Sequence, residues 1–239
     1  MPEGFLTLGG RTKFVVGTLA ATILIDVFAM WVDVREIQLM NRLLDGDLPS
    51  TADLDANDDR QALAGTLLFV SFVVTIVAFV MWFSRAYKNL PALGATDLRF
   101  TKGWAIGAWF VPILNLWRPK QIANDIWRAS DPGAPPDQRN TWREKPVAQL
   151  LLAWWIVWVV SLYAWNASTR LAFSRDDAGG VRDGDYADLV SLGLDIVAAL
   201  FAIAVVRRMT DRQSERLRVV AAAAAAVPAP LGTEPTVAS

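Results

Sequence analysis

The chain contains no cysteine and no histidine. Without cysteine there is no thiolate nucleophile, no disulfide and no sulfur ligand for a metal. Without histidine the usual general base, proton shuttle and metal ligand are missing as well. These absences discard most enzyme classes, so no catalytic residue, cofactor or metal site is expected. Excess charge is lacking too: 23 Lys and Arg stand against 24 Asp and Glu, a net charge of −1. No basic stripe meets aromatics as a strand-binding groove requires, which leaves no case for nucleic acid.

What the chain has is apolar sequence in blocks. Hydrophobic residues make up 54% of 239, and they gather in runs over 14–32, 62–83, 147–165 and 188–206. At ~1.5 Å per helical residue each run approaches or covers a ~30 Å hydrocarbon core. The first is too long for a signal peptide and no small-x-small cleavage site follows it, so it reads as an uncleaved anchor helix. Most of the eleven Trp lie near the ends of apolar runs, as interfacial anchors do.

Between the runs, Val34, Ile37, Met40 and Leu44 recur at helical spacing, which carries the first helix on until Gly46 breaks it. The cluster Asp53–Asp59 resembles a calcium loop only superficially. Asp58 stands where that loop needs Gly, and Ala64 where it needs a bidentate Glu. A solvated acidic loop is expected there instead. After Arg118-Pro119, the residues Ile122, Ile126 and Ala129 share one helical face, suited to lying on a membrane surface. Residues 131–136 read as a linker, and 207–239 as a helical extension running into a disordered Ala/Pro tail.

One further apolar run, 103–117, is the difficult one. Fifteen helical residues reach only ~22 Å, and Pro112 interrupts them. Counting Lys and Arg settles its placement. With four spans and 103–117 not crossing, 17 basic residues fall on the side of both termini and 6 on the other. That is the bias of a cytoplasmic face; a fifth span erases it or puts the acidic 33–61 stretch inside. The expected fold is therefore an all-α membrane protein with four transmembrane helices. A 1–13 lead precedes a 14–206 membrane domain, with a re-entrant or interfacial segment over 103–130 on the cytoplasmic side. A bacterial inner membrane with both termini cytoplasmic is the expected location.

Two groups of residues could carry chemistry. Asp26 and Asp195 fall at similar depth in the first and last spans, helices that often neighbour each other in a four-helix bundle. An Asp there costs roughly 2.5–3.5 kcal/mol and should face the interior. The pair could form a proton or cation site, or could simply bond across helices, to Ser71 or Thr75 among others. Intramembrane aspartyl proteases also use two such residues. Their Gly-x-Gly-Asp motif is Leu192-Gly193-Leu194-Asp195 here, Pro91-Ala92-Leu93 lies on the wrong side of it, and four spans are too few. The second group surrounds 103–117: Arg85, Tyr87, Asn89, Trp104, Trp109, Pro112, Asn115, Arg118, Gln121, Asp125 and Trp127. Basic residues there attract anionic headgroups by roughly 1 kcal/mol each. Amides at the ends of a re-entrant turn can cap broken backbone, and Gly103 with Gly107 would permit close helix contact.

The second group carries a family resemblance. The pieces are Trp82-Phe83-x-Arg85-Ala86-Tyr87-x-Asn89-Leu90 with Leu93-Gly94, then Gly103-Trp104-Ala105-x-Gly107-x-Trp109-Phe110-x-Pro112. Asn115-Leu116-x-Arg118-Pro119-x-Gln121 and Ile126-Trp127-Arg128-Ala129-Ser130 complete it. Together they resemble a bacterial membrane family known as domain of unknown function 4328. The resemblance implies a multi-span membrane domain and supplies no activity, ligand or catalytic residue. The expected function is a non-enzymatic module whose cytoplasmic-side motif binds membrane lipid, a protein partner or a second copy. A small proton- or cation-coupled transporter using Asp26 and Asp195 is the alternative, and an intramembrane aspartyl hydrolase the remote one.

Overall fold

Each long apolar run becomes a helix, because in lipid only intra-segment hydrogen bonding satisfies the backbone. The computed structural model describes residues 4–139, 141–172 and 177–226. Four long helices, α1 (Gly9–Leu44), α2 (Thr51–Lys88), α5 (Gln149–Ala172) and α6 (Ala178–Ala226), are joined by the short α3 (Trp104–Gly107) and α4 (Arg118–Ala129). The four long ones are long and apolar enough to cross a membrane. No strand occurs among the described residues; one backbone bridge links Ala95 to Arg139. The expected spans lie inside these helices, the third beginning at Gln149 rather than 147. The Ala/Pro tail from 227 onward lies outside the described residues, as do 173–176 of the loop before α6.

Helix α6 packs against both α1 and α5, and α2 packs on the other flank of α1. The first and last helices are thus neighbours, as bundle logic expects. Their lengths exceed a bilayer: the 49 residues of α6 extend about 74 Å at ~1.5 Å each. Leu6, Asn89 and Gln213 meet through hydrogen bonds at one end of the bundle, here called the motif end. The turn between α1 and α2 marks the far end. Leu24, Val27, Phe69, Phe72, Val190 and Leu200 are exposed on the outer faces, an apolar surface that water would not tolerate and acyl chains would cover.

Two expectations change. The acidic stretch is not a loop. Ser50 and Asp53 form a reciprocal cap at the start of α2, with Asp53 N–H to Ser50 Oγ at 3.2 Å and Ser50 N–H to Asp53 Oδ2 at 3.3 Å. The acidic residues then ride the first turns of α2, where the positive end of the helix dipole favours them. Gly46, at φ +84°, does end α1 as expected. The second change concerns α4, whose face of Ile122, Ile126 and Ala129 is fully buried. It packs toward α2, α5 and α6 instead of lying on lipid, because the chain folds back over it.

Candidate functional site

The motif end is built around amides and one arginine. Asn89, at the C-terminus of α2, accepts from Leu6 N–H (2.9 Å) and donates to Leu6 C=O (2.9 Å) and Gln213 Oε1 (3.1 Å). Gln213 in turn donates to Ala86 C=O at 2.8 Å. One turn further along α6, the fully buried Arg216 spreads its donors over the carbonyls of Leu93, Ala134, Pro135 and Pro136. Gly94 makes this possible: it sits at φ +88°, and a Cβ there would collide with the Pro136 carbonyl oxygen. Gln138 ties Leu93 C=O (3.3 Å) to Ala129 C=O (2.7 Å). The expected linker 131–136 is thus clamped, with Asp131 also paired to Arg212 at 2.9 Å and Lys145 at 3.6 Å.

A second layer surrounds α4. Tyr87 donates to Phe100 C=O (2.9 Å) and accepts from Phe100 N–H (3.2 Å); burial pushes its hydroxyl up to about 12. Buried Asp125 is paired with Arg99. Burial pushes that carboxyl above its ordinary range, and Arg99 opposes the shift. The Arg118 guanidinium stands over the rings of Phe100 (4.7 Å) and Trp104 (5.1 Å), a pair of cation–π contacts. Arg212 stands over Trp127 at 4.6 Å, and Arg85 donates to Thr7 C=O at 3.1 Å. Lys120 is pushed down to about 8, by burial first and by Arg128 second. Gln121 is half-buried on α4.

Residues 103–117 enter and return at the same end, since Arg118 lies against Phe100 and Trp104. Trp109 inserts edge-on among Phe79, Phe83, Trp155 and Trp158 at 5.5–6.3 Å. Trp155 Nε1 holds the returning limb through Leu116 C=O at 3.1 Å. The reversal is a γ-turn, with Leu114 N–H to Pro112 C=O at 2.7 Å and Ile113 at φ +68°. A β-branched residue at positive φ is strained, and such strain gathers at functional positions. Ile106, Phe110, Val111, Ile113 and Trp117 are all exposed along this hairpin. Its tip floors an open groove of about 440 Å³ that Asn115, Tyr163, Asn166 and Arg170 also line. Trp109 Nε1 and Arg118 Nε are buried and have no hydrogen-bond partner among the described residues.

Residues 45–211 match the family described as domain of unknown function (DUF4328). The chain belongs to this family. No curated protein and no solved structure matches it. The family segment holds every motif residue named above, yet ends before Gln213 and Arg216, which lock the motif from α6. Sequence reading missed those two, although they continue the buried stripe Ala198, Ala202, Val205 and Met209 of α6. It also read Tyr87, Asn89 and Asp125 as one recognition face; all three are interior, with internal partners. Gly103 and Gly107 have open space around them, not a close helix.

The two carboxylates are brought together. Asp26 is 1% exposed, and the packing of α1 on α6, with Thr12 bonded to Thr210 at 2.8 Å, sets it level with half-buried Asp195. Ser71 and Thr75 bond instead to Thr22, each at 3.1 Å.

Proposed function

We propose that this chain is a non-enzymatic module of a bacterial inner membrane that binds anionic lipid through its motif end, with both termini on the cytoplasmic side. The observation that carries the reading is the hairpin: a strained, exposed apolar edge beside two buried donors left without acceptors. An acyl chain covers Ile106, Phe110, Ile113 and Trp117 without cost to water. A headgroup oxygen would satisfy Arg118 Nε, with Lys102 and Lys120 adding charge nearby. Trp109 and Trp155 hold the hairpin in its strained shape, while the interior amides and Arg216 fix the end of α2 and the 131–136 stretch beside it.

The test is native mass spectrometry of the protein with anionic or zwitterionic lipid. Arg118→Gln with Lys120→Gln should lower retention of anionic lipid by on the order of tenfold or more, at roughly 1 kcal/mol per basic residue. Unchanged retention overturns the lipid reading. If retention is unchanged but a co-purifying protein or a second copy is lost on Phe110→Ser or Ile113→Ser, the hairpin edge is a protein interface instead.

A further inference from the structure

Midway along the bundle the packing changes character. Asp26 of α1 is 1% exposed, and its Oδ2 has no hydrogen-bond partner among the described residues. Across antiparallel α1 and α6, Thr12 bonds Thr210 at 2.8 Å and Leu192 packs against the cluster that holds Ala29 and Val32, a register that sets Asp195 level with Asp26. No Lys or Arg occurs in 14–32, 62–83, 147–165 or 188–206, so no cation lies at this depth. Two carboxylates cannot both stay charged side by side in a medium of low dielectric. One proton held between them removes the repulsion and gives the orphaned oxygen its partner.

The surroundings decide where that proton comes from. Toward the motif end the bundle is sealed by buried Val15, Leu19, Phe79, Trp82, Val205 and Val206. Toward the far end, buried Asp33, Ser168, Asp185 and Ser191 are interspersed with the small cluster of Ala29, Val32 and Ala64. Asp185, Asp188, Ser191 and Asp195 fall at spacings of one turn on α6, the helix that packs against Asp26's own. The acidic groups on the far-end side of the pair are Asp33 and Glu36 on α1 and Asp185 and Asp188 on α6. Half-buried Arg60 on α2 and exposed Arg170 on α5 stand nearer the far end. No group of three or more carboxylates converges as a metal site among the described residues.

We propose that Asp26 and Asp195 form a single proton-binding site exchanging with the far end of the bundle and closed to the motif end. The proton arrives from water. It leaves one carboxyl protonated, with its O–H donating to the other carboxylate, and no other bond is made or broken.

Infrared difference spectroscopy of the full chain in lipid vesicles tests this. The unaltered protein should show one carboxylic C=O band that grows on acidification and shifts in heavy water. That band should be lost in Asp26→Asn and in Asp195→Asn, and kept in Asp59→Asn, with circular dichroism confirming the helices. Absence of a titrating band in the unaltered protein overturns the proposal, whether or not the variants fold. A band that survives both Asn variants overturns it too, as does a carboxylate signal that responds to Na⁺ and not to pH. In uniformly oriented vesicles a pH step on the far side alone should move the band. Movement on a step from the motif side alone overturns the assigned access.

Discussion

The two ends of this bundle are made from the same four helices and are held together in opposite ways. At the motif end a broad apolar cluster surrounds Trp82, Tyr87, Leu90 and Ile126. The polar groups inside it, Asn89, Gln213 and Arg216, find partners at ordinary distances. In the far half the clustered apolar core is only Ala29, Val32 and Ala64, and Asp26, Asn57, Asp185 and Ser191 are buried there alongside Ile37, Leu39 and Met40. Glu36 reaches across to Asn57 at 3.1 Å and to Gln61. The difference teaches where rigidity is needed. A strained hairpin must be braced, whereas a polar path that exchanges protons must open.

The hardest way to break this contrast is to remove its keystone. Arg216→Met leaves the Ala134, Pro135 and Pro136 carbonyls without their side-chain donor, and should cost roughly 3–5 kcal/mol. Thermal unfolding in detergent should show the loss, and Arg216→Lys should not restore it, because an ammonium cannot span the fork. Next comes Asn89→Ala, which strips three hydrogen bonds at a cost of roughly 2–3 kcal/mol. It should also free residues 5–8, so limited proteolysis should cut that segment in the variant and spare it in the parent. If either change cost less than a far-end substitution, the motif end would not be the braced half.

Much of this was legible beforehand. The four long apolar helices, the neighbouring first and last helices and the family all follow from apolar run length, bundle logic and motif spacing. What sequence does not carry is which way a polar side chain faces. Asn89 and Asp125 look the same in a row of letters whether they recognise a ligand or close the interior. The difference depends on Leu6, 83 residues away, and on Arg99, 26 residues away. Arg216 was hidden for the same reason, since three of its four acceptors lie on a stretch that reads as a linker. The acidic stretch misled because its charges suggested solvent, while Ser50 with Asp53 signalled a helix start.

Lys120 sharpens the comparison through pH. Its folded value near 8 lies below the ordinary 10.5, so between those two values the unfolded chain binds the extra proton. Stability should therefore rise with pH from about 8 toward about 10, by on the order of 1–2 kcal/mol once solvent screening is allowed for. Lys120→Met should flatten that rise. An anionic lipid bound beside Lys120 would favour its charged form, so added lipid should shift the rise to higher pH.

The smallest effect belongs to the far end. Ser50→Ala removes the reciprocal cap of α2, a loss of about 1 kcal/mol in a position open to solvent. The α1–α2 turn should then exchange its amide hydrogens faster, while the amides around Asn89 and Gln213 keep their protection. Hydrogen exchange read by mass spectrometry separates the two. Faster exchange confined to residues near 45–57 means that the ends open independently, as a far-end proton path beside a fixed hairpin requires. Equal acceleration at both ends would mean one cooperative unit, and the path could not open without loosening the hairpin.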